Sequence, residues 1–171
     1  MNRLLEKKPI FLLFLLTISF QVICLIHTYN KVAPDEFLLF VNKIQSEPLY
    51  QAIAMLVFVL ALVFFVVSIY VFTLVFNFIA NYVFNFKFMF NMMFKIIIIY
   101  MFFATFGIFM FQVLANNEPF WLKYLNPFVF VGLSIGYVII RSEVKSRIRP
   151  LIFVGLMYMV SIILLFRWEE F

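Results

Sequence analysis

Five long runs without a charged side chain constrain this sequence more than any other feature. They cover about residues 10–26, 50–76, 96–114, 121–140 and 151–166. A helix of about 20 residues crosses the hydrocarbon core of a bilayer at roughly 1.5 Å per residue. The fourth run reaches that length only by including Lys123, whose ammonium group can extend to the headgroups from near the helix end. The runs therefore predict five transmembrane helices.

The composition agrees with a lipid rather than an aqueous environment. Hydrophobic residues make up 67% of the 171 residues and charged residues 12%, whereas a soluble domain is about half apolar and about a quarter charged. Twenty-seven Phe and nine Met against four Gly fit helices with apolar surfaces on all sides. We therefore expect an all-α polytopic integral membrane protein with one membrane domain over residues 1–171.

The distribution of Lys and Arg predicts the orientation of this domain. If five spans cross the bilayer, nine of the thirteen basic residues fall on the side of the amino terminus. Cytoplasmic loops collect basic residues, so the amino terminus is predicted to be cytoplasmic and the carboxyl terminus outside. The net charge of +5 is thus explained by topology and does not indicate a nucleic-acid partner.

The segment between the second and third spans combines asparagine and phenylalanine in an unusual way. Asn77, Asn81 and Asn85 recur at every fourth position, which on a helix forms one polar stripe. Phe86 and Phe88 then flank Lys87 in a pattern that predicts a bend at headgroup depth. The asparagines belong either to this interfacial elbow or to a polar seam between helices or subunits.

A short amphipathic helix is predicted between the first two spans. Pro34 stands where a helix would begin, and Pro48 closes the segment. Four apolar residues share one face of this helix: Phe37, Phe40, Val41 and Ile44. The segment is too short to span a membrane, so it is expected to rest on the outer leaflet or to serve as a docking site for an extracellular peptide or partner.

Small residues on the fourth span indicate close helix packing. Gly132, Ser134 and Gly136 form a GxxxG pattern, which permits another helix to approach closely. The neighbour is either a helix of a partner or the fifth span at Gly155.

The loop between the fourth and fifth spans is strongly basic. It carries four cationic residues: Arg141, Lys145, Arg147 and Arg149. Such a cluster either binds anionic lipid headgroups or simply sets the topology.

Residues suited to catalysis are scattered rather than grouped. No Asp, Glu, Lys or Arg stands at the centre of a predicted span, where a functional ionisable group would be conspicuous. His27 is expected to be solvated at the outer end of the first span, and Cys24 is expected to pack within it. The sequence has no phosphate-cradling glycine loop, HExxH or GxSxG motif. It therefore predicts neither an enzyme nor a cofactor site.

The chain resembles the Ypt-interacting-protein (Yip) family in its span order and in LNPFVFVGLSIGYVIIRSEVKSRIRP, where a Pro-started span runs into a basic turn. The resemblance implies five spans, a cytoplasmic amino terminus and a short external tail. The DLYGP-like stretch of eukaryotic members has no counterpart here. Small bacterial relatives are closer in length, and some of these act beside ATP-driven exporters in protection against membrane-active peptides. No functional residue carries over.

These patterns lead to one main functional hypothesis and one alternative. The main hypothesis is a non-enzymatic accessory protein that binds a membrane partner, such as an ABC-type exporter, a hydrophobic peptide or another copy of itself. Its expected working surfaces are the Gly132/Gly136 face and the asparagine stripe. The alternative is a small transporter or channel subunit with a polar path through an oligomer.

Overall fold

The computed structural model describes residues 7–115 and 125–168, and every regular element in them is helical. The α-helices are α1 (Lys7–Val32), α2 (Pro34–Ser46), α3 (Pro48–Phe78), α4 (Phe90–Ile108), α5 (Pro127–Glu143) and α6 (Ile148–Trp168). π-Helical segments extend α3 over Ile79–Val83 and α4 over Phe109–Leu114. The predicted all-α class is confirmed.

Three helical segments are long and apolar enough to cross a membrane. They are Lys8–Val32, Pro48–Val83 and Phe90–Leu114, and they contain the first three predicted spans. The fourth predicted span is shorter than expected in the described part, because α5 begins at Pro127 and has 17 residues. Residues 121–124, including Lys123, and the tail after Trp168 lie outside the described residues.

Proline sets the start of several helices. Pro34, Pro48 and Pro127 all stand in the first turn of their helices, where a missing N–H costs no intrahelical hydrogen bond. The predicted amphipathic helix is confirmed as α2, and its four apolar residues are half-buried while most of its other side chains are exposed. Pro48 also starts α3, because only Glu47 separates the two helices.

Helix α4 is the centre of the bundle and packs against α1, α3 and α5. All five residues from Ile96 to Tyr100 are buried. Consecutive residues of a helix point about 100° apart, so five of them cover the whole circumference. Helix α4 is therefore enclosed by protein on every side along this stretch.

Ring contacts give the relative directions of the helices around α4. Phe14 of α1 lies 6.4 Å from Phe94, and Phe20 lies 5.7 Å from Phe106 further along both helices. Helices α1 and α4 thus run in the same direction. Phe128 at the start of α5 lies 5.1 Å from Phe106 near the end of α4, so α5 runs the opposite way.

The small residues of α5 pack against α4 rather than against α6. A Cβ atom on Gly132 would lie 3.1 Å from the Phe103 Cβ, 3.3 Å from the Tyr100 Cα and 3.4 Å from the Tyr100 carbonyl oxygen. Gly136 is also buried. A Cβ atom on it would lie 3.4 Å from the Ile96 Cγ2. Gly132 therefore allows α5 to approach the α4 backbone closely, and Gly136 packs against a side chain of the same helix.

This contact corrects two expectations about the GxxxG face. The face is covered by α4 within the chain and is not free to bind a partner. Gly155 is exposed, and a Cβ on it would meet nothing within 4 Å. Ser134 is also exposed and donates its hydroxyl to the Phe130 carbonyl at 2.7 Å. The sequence spacing identified the close approach, but it could not identify the neighbouring helix.

We predict that alanine at Gly132 of α5 and alanine at Gly155 of α6 change the free energy of unfolding differently. Gly132→Ala is expected to lower the free energy of unfolding by about 1–3 kcal/mol, since the crowding atoms include the α4 backbone. Gly155→Ala is the matched control and should be neutral or stabilising, because alanine favours helix over glycine by about 1 kcal/mol. Thermal unfolding of both variants in the same detergent measures the difference, and equal behaviour would contradict this packing.

Candidate functional site

The asparagine stripe is shorter than the sequence predicted. Asn77 lies on α3 and Asn81 on its π-helical extension, and the Asn81 Nδ2 donates to the Asn77 Oδ1 at 3.4 Å. Asn85 lies beyond the helix with a φ of 56°, in the left-handed region that asparagine tolerates better than most residues. The helix ends before a third asparagine can join the stripe, so Asn85 belongs to the elbow instead.

Asn81 has a structural task that the spacing did not reveal. Its Oδ1 accepts a hydrogen bond of 2.6 Å from the Phe88 N–H, and its Nδ2 donates one of 3.0 Å to the Phe88 carbonyl. The carboxamide thus pairs with Phe88 as a second peptide group would. Residues 85–89 lie outside any helix. The Asn81 side chain therefore provides hydrogen bonds to the Phe88 N–H and carbonyl in place of the backbone partners that a helix would supply.

Phenylalanines fasten the elbow to α6. The rings of Phe84 and Phe86 lie 5.4 and 5.6 Å from the fully buried ring of Phe153, in edge-on contacts. Phe76 lies 6.1 Å from the same ring. Phe86 and Phe88 are buried whereas Lys87 between them is exposed, so the structure has the alternation and the bend that the sequence predicted. The positive φ of Lys87 makes this bend irregular, and its depth in the membrane stays a prediction. Phe153 was missed at the sequence level because it is one of 27 phenylalanines.

Most basic residues of the described part gather at the elbow end of the bundle. The helix directions bring together the start of α1, the elbow, the end of α5 and the start of α6. Among the residues from Lys8 onward whose side chains the structure describes, this end has one carboxylate, Glu143, and seven cationic side chains: Lys8, Lys87, Lys95, Arg141, Lys145, Arg147 and Arg149. The opposite end combines two lysines with three carboxylates: Lys31, Lys43, Asp35, Glu36 and Glu47.

The four residues predicted to bind anionic lipid have different surroundings. Arg141 donates from its Nη1 to the carbonyls of Val144 at 3.0 Å and Lys145 at 3.4 Å. It therefore holds the loop between α5 and α6 in place. The side chains of Lys145, Arg147 and Arg149 are exposed and can contact headgroups.

The corner between α2 and α3 is polar and ordered. The Lys43 Nζ donates to the Tyr50 hydroxyl at 3.0 Å, and the Gln51 Nε2 donates to the Ile44 carbonyl at 3.0 Å. The hydrogen bond to Tyr50 is the main reason that the pKa of Lys43 is raised. These contacts fix the start of α3 relative to α2.

Helix α1 carries side chains that could take part in polar or sulfur chemistry, among them Gln21, Cys24 and His27. Cys24 is buried, as its position in an apolar run predicts. The Nε2 of His27 and the Oε1 of Gln21 are covered and have no hydrogen-bond partner within the described protein. His27 is thus less solvated than expected, since α1 continues past it to Val32. No group of three His, Cys, Asp or Glu suited to a metal ion occurs among the described residues.

Asn126 is a second polar residue whose importance only the structure reveals. It is buried, and its Oδ1 accepts a hydrogen bond of 3.0 Å from the Phe128 N–H at the start of α5. A Cβ atom on Gly107 would coincide with its carboxamide, so this glycine makes room for it. The sequence did contain a signal, because Asn followed by Pro is a recognisable helix start.

Comparison of the chain with protein-family models, with curated proteins and with solved structures finds no match. The Yip resemblance therefore stays a prediction from the sequence.

We predict that Asn81 is required for the elbow. Asn81→Leu keeps a similar volume but leaves the N–H and the carbonyl of Phe88 without their partner, which costs about 1–3 kcal/mol for each group that stays buried. The free energy of unfolding should fall by roughly 2–4 kcal/mol, measured by thermal or chemical denaturation in detergent.

The matched control is Asn85→Gly, four residues away. Glycine adopts positive φ without steric cost, so this variant should unfold at the same temperature as the wild type or a higher one. An Asn81→Leu protein as stable as the control would show that the carboxamide is dispensable.

Proposed function

We propose that this is a five-span protein of the cell membrane with a cytoplasmic amino terminus and an external carboxyl terminus. The three long apolar segments support the membrane location. Helices α5 and α6 complete the five spans, and the alternating helix directions suit five successive crossings. The collection of cations at the elbow end supports the orientation, because basic residues are retained on the cytoplasmic side.

The orientation is tested with single cysteines at the two ends of the bundle. In a Cys24→Ser background, Gln45→Cys should react with a membrane-impermeant maleimide in intact cells, whereas Lys145→Cys should react only after permeabilisation. The two positions lie on α2 and in the α5–α6 loop, and both are exposed. Labelling of Lys145→Cys alone in intact cells would reverse the orientation, and labelling of both would contradict the bundle topology.

We propose further that the protein acts without catalysis, by binding an apolar helix of a membrane partner. The observation that carries this proposal is the exposure of residues 49–67 of α3, here called the α3 arm. All six side chains from Met55 to Leu60 are exposed, with Met55 at 71%. Six successive residues cover every side of a helix, so the bundle leaves the middle of the arm bare on every side.

The length of α3 explains why the arm stands apart. Its 31 residues extend over about 46 Å, against about 30 Å for the hydrocarbon core. A helix with this excess tilts. Its fully buried residues, Ile69, Thr73 and Phe76, all lie in the second half, while Leu62 of the arm is partly buried against the core. We infer that the arm before Leu62 diverges from α1 and α4 towards the α2 end of the molecule.

We infer from its length that helix α2 holds the arm away from α1. It has 13 residues and thus spans about 20 Å between the end of α1 and the start of α3. Packed helices lie about 8–10 Å apart, so the additional distance accommodates roughly one more helix. The Lys43–Tyr50 corner fixes this spacing on the α2 side. The opening thus suits an apolar helix rather than a polar ligand.

The partner class follows from this apolar opening. An exporter supplies transmembrane helices, and a membrane-active peptide supplies one amphipathic or apolar helix. We therefore favour an accessory role beside an ABC-type exporter, in export of such peptides or protection against them. The small-residue face of α5 no longer contributes to this proposal, since α4 covers it.

The α3 arm is tested by photo-cross-linking in native membranes. Met55→Cys in the Cys24→Ser background, labelled with a photoreactive maleimide, should form a discrete adduct whose peptides identify an exporter subunit. Leu151→Cys is the matched control because Leu151 is 62% exposed on α6. Equal adducts at both positions, or none at the arm, would contradict the proposal, and an adduct of twice the chain mass would assign the arm to a second copy.

One observation favours the second candidate, a small transporter or channel subunit. The covered Gln21 Oε1 and His27 Nε2 lie on α1 within Lys8–Val32, one of the segments long enough to cross a membrane, where a polar atom without a partner is costly. Water molecules of a polar path that reaches these atoms would supply the missing hydrogen bonds. Solute flux in liposomes that contain only this protein, abolished by Gln21→Leu, would favour this candidate over the accessory role.

A further inference from the structure

A groove lies where α3 passes into its π-helical extension. It has a volume of about 480 Å³ and is lined by Leu74, Val75, Asn77, Phe78, Asn81 and Tyr82. Pockets that bind small molecules range from about 300 to 1,000 Å³. π-Helical turns are rare and frequently occur at functional sites. The groove is apolar along α3 and becomes polar at the two asparagines.

Asn77 presents hydrogen-bond donors to this groove. Its Oδ1 accepts the weak hydrogen bond from Asn81, while its Nδ2 donates to no acceptor in the described protein. Asn81 is already committed to Phe88. The carboxamide nitrogen of Asn77 therefore has two N–H groups available to an oxygen-rich ligand.

Lys87 supplies a cation beside the asparagines. Asn81 lines the groove and binds the backbone of Phe88, so the neighbouring residue Lys87 is close enough in the chain for its long side chain to reach the groove. Lys87 has a φ of 58°, which for a residue other than glycine costs about 1–2 kcal/mol. Phe86 and Phe88 are buried, whereas the Lys87 side chain between them is exposed and free to meet a headgroup.

The apolar side chains of α3, the Asn77 amide donors and the Lys87 ammonium follow one another along this surface. This arrangement matches an amphiphilic ligand with an apolar chain and an anionic headgroup. We propose that the groove binds one anionic phospholipid of the surrounding leaflet. Its phosphate contacts the Lys87 ammonium and the Asn77 amide, and an acyl chain lies along Leu74, Val75 and Phe78. This inference rests on the membrane location proposed above but not on the partner or on the α3 arm.

The groove differs from the basic loop as a lipid site. Lys145, Arg147 and Arg149 are exposed on a turn and at a helix start, where they attract any anionic headgroup. Lys87 instead lies near an open apolar face of α3 along which an acyl chain can pack. A free phosphate ion would gain nothing from that apolar face, so the site should prefer the lipid over the ion.

The test is lipid titration of the detergent-purified full chain by native mass spectrometry. Wild-type protein should bind one phosphatidylglycerol at least about fivefold more tightly than phosphatidylcholine, as one surface cation contributes about 1 kcal/mol. Lys87→Gly should remove this preference while the melting temperature without lipid stays equal or rises, because glycine relieves the positive φ. Asn77→Leu should weaken phosphatidylglycerol binding as well.

Lys145→Gly is the matched control, since it removes the same charge from the same end of the protein. It should retain the preference for phosphatidylglycerol. An equal loss in Lys145→Gly and Lys87→Gly, equal binding of both lipids by the wild type, or displacement of the lipid by inorganic phosphate would overturn the proposal. Cross-linking at the α3 arm is measured separately, so a failed partner test would leave this result intact.

Discussion

Every backbone N–H and carbonyl of this protein that lies away from water needs a hydrogen-bond partner within the chain. In hydrocarbon an unpaired peptide group costs several kcal/mol, which is why helices dominate the structure. The elbow between α3 and α4 is the described place where the apolar chain leaves its helix and still remains packed. There the Phe86 N–H donates to the Ala80 carbonyl and the Asn81 carboxamide pairs with Phe88. A single side chain thus permits the change of direction that brings α4 back through the bundle.

Helix α4 then organises the rest of the packing. A helix that is enclosed on all sides must pack closely against its neighbours. Glycines permit this close packing because they have no side chain. Gly132 admits the α4 backbone at Tyr100, and Gly107 makes room for Asn126. Because lipid competes for apolar surfaces as well as protein does, close contact between backbones holds such helices together better than hydrophobicity alone. Among the four glycines, Gly132 is the one at which a Cβ atom would meet the backbone of another helix.

The arrangement is asymmetric, and the proposed functions follow from that asymmetry. The side chains around α4 pack against one another and are buried, whereas the side chains in the middle of the α3 arm are exposed. The elbow end is cationic and tightly fastened by Phe153, while the other end is opened by α2. A rigid anchored end and a diverging arm suit a protein that holds a lipid at one place and a helix at another.

The sequence by itself determined the helical class, the positions of three helices long and apolar enough to cross a membrane, the amphipathic helix α2 and the bend near Phe86 and Phe88. These features depend on charge, apolar length and periodicity, which are local properties of the chain. Tertiary structure decided which helix meets Gly132, where the asparagine stripe ends and what Asn81 binds. Those outcomes depend on contacts between residues distant in sequence, and among so many similar apolar side chains the pattern does not distinguish one neighbour from another.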